Sequence, residues 1–276
     1  MNNLQAIVFN YITCVITGSI VNGHFPINAT AIQQPWFKWA CLMGAVFISL
    51  FNIIAFTAQK LGVAVASVAN KLSLIIPFIF SIYLYNEPVS LLKVVGIIVA
   101  LVAVILTCWP TRNTGVGGPE KKETPAHQPQ NKSLLLIPVI LFVGSGMLDT
   151  MIKFVEHSFL DGNNNNDYLI SAFSSAATIG VILILFQFIT RRQKFSGKAV
   201  LMGIAIGVPN YFSIWCLMKV LKNYSDNSSF VIPVNNMGIV LFSTLVAWIV
   251  FKEKLSLYNW IGVLLSVGAI ALIAYG

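Results

Sequence analysis

PFIFSIYLYNEPVSLLKVVGIIVALVAVILTCW, residues 77–109, returns near the C-terminus as MGIVLFSTLVAWIVFKEKLSLYNWIGVLLSVGAIALIAY, residues 237–275. Glu87 aligns with Glu253 and Gly96 with Gly262, the same spacing of 166 in both cases (253 − 87 and 262 − 96). Asn70 and Asn236, Ser90 and Ser256, and Ala103 and Ala269 keep that register. Unrelated apolar stretches do not share acidic, polar and small positions in one register, so the chain reads as an internal duplication. Repeated halves built from apolar helices are the usual architecture of secondary transporters, with the substrate site between the halves.

The surrounding composition says what solvent the repeats occupy. Hydrophobic residues make up 57% of the chain, charged residues 9%, and the mean hydropathy is +0.81. A soluble domain carries roughly a quarter charged residues, so this chain belongs in lipid. There each backbone N–H and C=O must be satisfied within its own segment, and ~20 apolar residues cross the hydrocarbon as a helix. The fold class that follows is an all-α, polytopic transmembrane helical bundle. The net charge of +8 resides mostly in short loops between apolar runs, which points to membrane orientation and not to a nucleic-acid partner.

Apolar runs predict nine spans, at about 4–22, 37–57, 64–85, 91–109, 134–156, 168–189, 197–218, 229–251 and 257–275. The polar, Pro- and Gly-rich stretch from Pro110 to Lys132 reads as a flexible connector. It divides the chain into a first repeat of four spans at 1–109, a connector at 110–133 and a second repeat of five spans at 134–276. Trp36, Trp39, Trp109, Tyr168, Tyr258 and Trp260 stand at run ends, where aromatics anchor at headgroup level. Lys60, Arg112, Lys121, Lys122, Lys132, Arg191, Arg192, Lys194, Lys198, Lys252 and Lys254 share one face, against Lys38, Lys93, Lys219 and Lys222 on the other. The richer face is expected in the cytoplasm, with Met1 inside and Gly276 outside. Leu4 to Asn22 lacks a basic n-region and a cleavage site, so it is expected to stay as a helix. Cys14, Cys41, Cys108 and Cys216 have no metal-ligand spacing and read as buried packing residues.

The two loops NEPVSLLKVVG, Asn86 to Gly96, and KEKLSLYNWIG, Lys252 to Gly262, each follow an apolar helix and lead into a Gly-bearing helix that ends its half. This pattern resembles the EamA-like branch of the drug/metabolite transporter superfamily. The resemblance implies inverted repeats, usually of five helices each. Matched to the second half, the helix at Leu4 corresponds to the one at Tyr168, so the first repeat is expected to lack its opening helix. The family's ends are usually cytoplasmic, which differs from the charge count.

Candidate site residues are the polar groups deepest in the spans. Asp149 and Lys153 stand four apart on one helix face, and a charge at a helix centre costs ~2.5–3.5 kcal/mol on insertion scales. They read either as a self-neutralising pair or as a proton-coupling, cavity-lining pair. Lys153 also resembles a basic residue near the end of the first helix of each family repeat. Asn70 and Lys71, and in the other half Asn235 and Asn236, lie about 10 Å below opposite entry surfaces at ~1.5 Å per residue. They read as substrate contacts or as interhelical hydrogen bonds. Asn10, Thr13 and Thr17, and their counterparts Ser171, Ser174, Ser175 and Thr178, form polar stripes that either bond back to the preceding turn or wall a cavity. In GIAIGVPNYFSIWC, Gly203 and Gly207 suit close helix packing, Pro209 and Asn210 a substrate-facing kink, and Tyr211 with Trp215 an aromatic wall.

No catalytic motif, P-loop, dinucleotide fingerprint or metal set is present, so no cofactor and no metal are expected and the protein is not read as an enzyme. Transport must then draw on a gradient. The expectation is a secondary transporter, an exporter of small polar metabolites such as amino acids, in the cytoplasmic (inner) membrane, acting as monomer or homodimer with membrane lipids around it. A flippase for a lipid carrier or drug is the alternative, and a membrane-embedded enzyme or receptor a remote one.

Overall fold

The computed structural model describes residues 3–85, 89–109, 132–161, 164–190, 195–224, 229–250, 252 and 254–276. Its helices are α1 (Asn3–Asn22), α2 (Ala29–Ile32), α3 (Phe37–Leu61), α4 (Val63–Leu72), α5 (Ile75–Tyr85), α6 (Leu91–Thr107), α7 (Lys132–Phe159), α8 (Asn165–Ile189), α9 (Gly197–Asn223), α10 (Val231–Ile249) and α11 (Leu257–Tyr275). No strand occurs among the described residues. Among the described residues eight helical stretches are long and apolar enough to cross a membrane, with α4 and α5 forming one of them from Val63 to Tyr85. The remaining run, α6, has 17 residues and is shorter. The chain is therefore an all-α polytopic bundle.

Several boundaries differ from the sequence expectation. Lys132 and Ser133 belong to α7 and not to the connector, and α7 runs on to Phe159. The run at 64–85 is interrupted, because Pro77 has no N–H to give the Ser73 carbonyl and its ring crowds that same carbonyl. The backbone closes the break with tighter bonds, Leu74 N–H to Lys71 O at 3.3 Å and Ile76 N–H to Ser73 O at 2.9 Å. Gly62, at φ +97°, makes the sharp turn from α3 into α4 that a side chain would strain. The rest of the connector, the loop residues Asn86, Glu87, Pro88 and Glu253, and the basic residues Arg112, Lys121, Lys122, Arg191, Arg192 and Lys194 lie outside the described residues.

The helices form two compact units, each drawing on both sequence halves: residues 1–56 with 147–228, and residues 57–146 with 229–276. In the first, α1 packs against α8 and α9 around stacked rings: Tyr11 lies 6.2 Å from Phe47 and 6.0 Å from Phe173, and Phe47 lies 5.6 Å from Phe173. Its close contacts come in exchanged pairs. A Cβ on Gly18 would meet Ile170 and Tyr211, and one on Gly180 would meet Val8 and Ile48. The glycines are 162 apart (180 − 18), as are Ile170 and Val8 (170 − 8), and Tyr211 and Ile48 are 163 apart (211 − 48). Likewise Gly44 abuts Ala172 and Ser175, while Gly207 abuts Asn10 and Thr13. Because Gly18 meets Ile170 and Gly180 meets Val8, α1 and α8 run antiparallel.

The second unit repeats the device at the register of 166. A Cβ on Gly96 would meet Ile273, and one on Gly262 would meet Thr107, with 262 − 96 and 273 − 107 both 166. Around this antiparallel crossing of α6 and α11, Ala100, Ala103, Val104 and Ala269 are fully buried. Small residues let two helices approach closely, which in lipid supplies the dispersion contacts that hold them. The repeated Ser of the sequence motif is the N-cap of both helices: Ser90 Oγ accepts from Lys93 N–H at 3.1 Å and Ser256 Oγ from Asn259 N–H at 3.2 Å. The Asn259 amide also donates to the carbonyls of Leu106, Thr107 and Trp109, satisfying the open end of α6.

Two surface expectations are corrected. Trp36 and Tyr168 do not anchor at a headgroup surface; they are buried, 6.3 Å apart edge to face, because each gives the other a protein partner. Trp109 and Tyr258, exposed and 6.0 Å apart, keep the anchoring role open. Of the cysteines only Cys14 is buried; Cys41 and Cys216 are exposed and Cys108 half-buried, and all four are free.

Candidate functional site

In the second unit the break in the 63–85 stretch lies directly beside a charged residue, Lys71. Ser73 Oγ bonds the Asn70 carbonyl at 2.6 Å, and one turn of chain around it holds Asn70 and Lys71, both half-buried. Lys71 Nζ donates to Asn236 Oδ1 at 3.1 Å from α10. Thus the contact across the unit is made by Lys71, with Asn70 alongside on its own helix. Asn236 is buried and Asn235 half-buried. Interrupted helices with polar groups at the break are where transporters place solute and ion sites, because freed backbone and a buried charge favour a polar guest over lipid.

In the first unit the polar group is Asn10, Cys14 and Asn210. Asn10 is buried, and Asn210 Nδ2 donates to Asn10 Oδ1 at 3.3 Å and approaches Cys14 Sγ at 3.6 Å. The Cys14 thiol donates to the Gly207 carbonyl at 3.2 Å. Gly203 and Gly207 press against Ala6, Phe9, Asn10 and Thr13, so they serve close packing. α9 continues through Pro209 without a break. Tyr211 is fully buried beside Phe173 and Phe212, whereas Trp215 is half-buried and lines a cavity with Lys219.

The polar stripes divide. Thr13 Oγ1 bonds back to the Phe9 carbonyl and Thr178 Oγ1 to the Ser174 carbonyl, both at 2.8 Å. Ser175 Oγ reaches across to the Cys41 carbonyl at 3.1 Å. Ser171 and Ser174 hydroxyls are buried without a partner among the described residues.

On α7, Asp149 is half-buried and Lys153 buried, 2% exposed. Sequence reading missed Glu156, also buried, whose charge interacts with Lys153 and Lys222. Placing the end of the run at 156 hid it. The signal was the spacing: 149, 153 and 156 are i, i+4 and i+7, one face of a helix. Among the described residues no group of His, Cys, Asp and Glu is arranged to hold a metal.

Residues 163–275 match the EamA-like transporter family. Over 278 aligned residues the chain is 27% identical to an uncharacterized protein of Haemophilus influenzae, covering 98% of this chain and 88% of that one. A protein of known crystal structure, 15% identical, superimposes with a TM-score of 0.68 over 99% of this chain and 89% of its own, a likeness of fold alone.

Proposed function

We propose, from the premise that this is a multi-pass membrane transporter of the EamA-like, drug/metabolite kind, that it moves small polar metabolites such as amino acids by alternating access, as an exporter in the cytoplasmic membrane. The observation that carries the reading is the Lys71–Asn236 bond beside the helix break. A cation inside a span costs ~2.5–3.5 kcal/mol on insertion scales and marks a functional position by default. An anionic or zwitterionic solute is the guest that such a charge suits, so Lys71, Asn70, Asn235 and Asn236 take its polar groups; Asn10 and Asn210 are the polar candidates of the first unit, considered by itself. Inverted halves are part of the proposal, supported by the exchanged, antiparallel contacts Gly18–Ile170 with Gly180–Val8 and Gly96–Ile273 with Gly262–Thr107.

Coupling to protons falls to the α7 row. Asp149 and Glu156 lie on either side of Lys153 along one face, so protonating one acid leaves the lysine with the other. In proteoliposomes with an imposed pH gradient, Asp149→Asn is expected to flatten the pH dependence of amino-acid flux. Flux that keeps its full pH dependence in that variant overturns the assignment.

A second reading, a flippase for a lipid carrier or apolar drug, has one observation in its favour. The second unit holds an almost wholly apolar cavity of about 470 Å³, lined by Val65, Val68, Ile105, Trp109, Val139 and Phe142 among others. Filling it with Val68→Trp is expected to leave amino-acid flux intact and to abolish lipid movement if lipid is the cargo.

A further inference from the structure

In the first unit, the start of α8 and the last turns of α9 enclose a cavity of about 420 Å³ whose wall includes Asn165, Asn166, Trp215, Lys219 and Lys222 and, among the described residues, contains no acidic one. That volume suits a small metabolite. Lys219 and Lys222 are three apart on α9, so they project from one face with Cβ atoms ~5–6 Å apart, a span that one carboxylate bridges. The wall is held in place. Lys219 Nζ sits 3.7 Å from the Trp215 ring centroid, and the indole N–H donates to Asn166 Oδ1 at 2.8 Å. Asn166 Nδ2 donates in turn to Asn22 Oδ1 at 3.3 Å, and Asn22 Nδ2 to Asp167 Oδ1 at 2.9 Å. Lys222 Nζ donates to the Asp161 carbonyl at 3.1 Å, a neutral partner. Among the described residues an acid whose field reaches Lys222 is Glu156, which is not one of the wall residues.

Asn165 supplies an independent sign of a guest. It is only 8% exposed, it lines the cavity, and its Oδ1 has no donor among the described residues. A buried acceptor left without a donor is costly, and a ligand that brings one removes the cost.

We propose that this cavity binds a small solute carrying both a carboxylate and a hydrogen-bond donor, the carboxylate on Lys219 and Lys222 and the donor on Asn165. It is a capture site separate from the Lys71–Asn236 pair. Its purpose rests on the transporter reading, but its occupancy does not. A solute seated on Lys222 also competes with Glu156 for that charge, which ties capture to the α7 row.

Tryptophan fluorescence of the purified chain in nanodiscs, titrated separately with alanine, acetate, ethylamine and inorganic phosphate, tests it without any transport. Alanine is expected to give a saturable change that Trp215→Phe abolishes while calorimetry still detects binding. Lys219→Met with Lys222→Met is expected to weaken alanine about tenfold or more, the size of one lost charged contact, and the paired arginine variant to retain it. No saturable change with alanine, equal affinity in the methionine variant, or tighter binding of phosphate or ethylamine than of alanine overturns the site. Because the readout is binding, a failed Asp149→Asn flux experiment leaves this result standing, and the reverse.

Discussion

Residues 63–85 and Val231–Ile249 occupy equivalent places in the two sequence halves, yet the first is split into α4 and α5 while the second is one uninterrupted helix. At the register of 166, Pro77 corresponds to Ser243 and Lys71 to Met237 (243 − 77 and 237 − 71). Ser243 keeps its N–H, and its hydroxyl turns back onto the Val240 carbonyl at 3.0 Å without disturbing the helix. Pro77 cannot do either. The copy that is broken is also the copy that carries the charge, while the copy that is whole contributes the neutral Asn236. The two stretches therefore differ at two positions that matter: Pro77 opens the backbone, and Lys71 places a cation beside the opening.

The largest effect is expected where the asymmetry is erased chemically. Lys71→Met installs the residue of the intact copy, so the fold is expected to tolerate it. A lost charged contact to a solute is worth ~1.5–3 kcal/mol, roughly 10- to 100-fold in flux, read as amino-acid counterflow in proteoliposomes. Flux within twofold of the parent, with the protein correctly inserted, removes Lys71 from the site. Pro77→Ser erases the asymmetry geometrically. It restores an N–H for the Ser73 carbonyl and is expected to raise thermal stability in detergent by about 1 kcal/mol or more while lowering flux several-fold, because Lys71 no longer sits beside an opening. Stability and flux falling together break the comparison, since that is the signature of a proline needed only for packing.

The bundle was legible in the sequence because lipid makes one demand of every span, a long apolar run, and composition records it directly. The register of 166 was legible for a related reason: Gly96, Gly262, Ser90 and Ser256 do one job each, close approach or N-capping, and each job accepts few residue types. What was not legible came from three-dimensional neighbours. Trp36 and Tyr168 were placed at the headgroups because run ends usually are, but each has the other as partner. Glu156 escaped because apolar runs lose their edges at a charged residue, whereas the helix itself continues for three more positions to Phe159. Pairing of Lys71 with Asn236, rather than of Asn70 with it, depends on rotation about a helix axis that depth alone does not give. The Trp215, Lys219 and Lys222 wall was half legible. The aromatic stood out, but lysines near a span end look like topology signals until α8 is seen closing over them.

The packing half of the comparison is sharpened by two glycines that lie on successive apolar helices, α11 and α10, but have different surroundings. A Cβ at Gly262 would lie 2.5 Å from the Thr107 backbone nitrogen, and backbone does not yield as a side-chain tip does. Gly238 in α10 has nothing within 4 Å. Gly262→Ala is expected to cost ~1–3 kcal/mol through overpacking, and Gly238→Ala to gain up to ~1 kcal/mol through helix propensity. Thermal unfolding in one detergent compares them. Equal shifts mean that α6 and α11 are not packed through this crossing.

The smallest effect separates the two N-caps. Ser90 caps α6 alone, through Lys93 N–H. Ser256 stands in a closed box: its own N–H and hydroxyl both go to Asn259 Oδ1, at 2.9 and 2.7 Å, and the same amide's Nδ2 holds the last carbonyls of α6. Losing a Ser cap costs ~1 kcal/mol, so Ser90→Ala is expected near that figure. Ser256→Ala removes the cap and also a donor that fixes which way the Asn259 amide faces, so its cost should exceed that of Ser90→Ala by several tenths of a kcal/mol. In the Asn259→Ala background that excess should vanish, because the orientation it protects is already gone. A double-mutant cycle on unfolding free energy measures it, and an excess that survives Asn259→Ala would mean the two caps differ for a reason other than the link from α11 to α6.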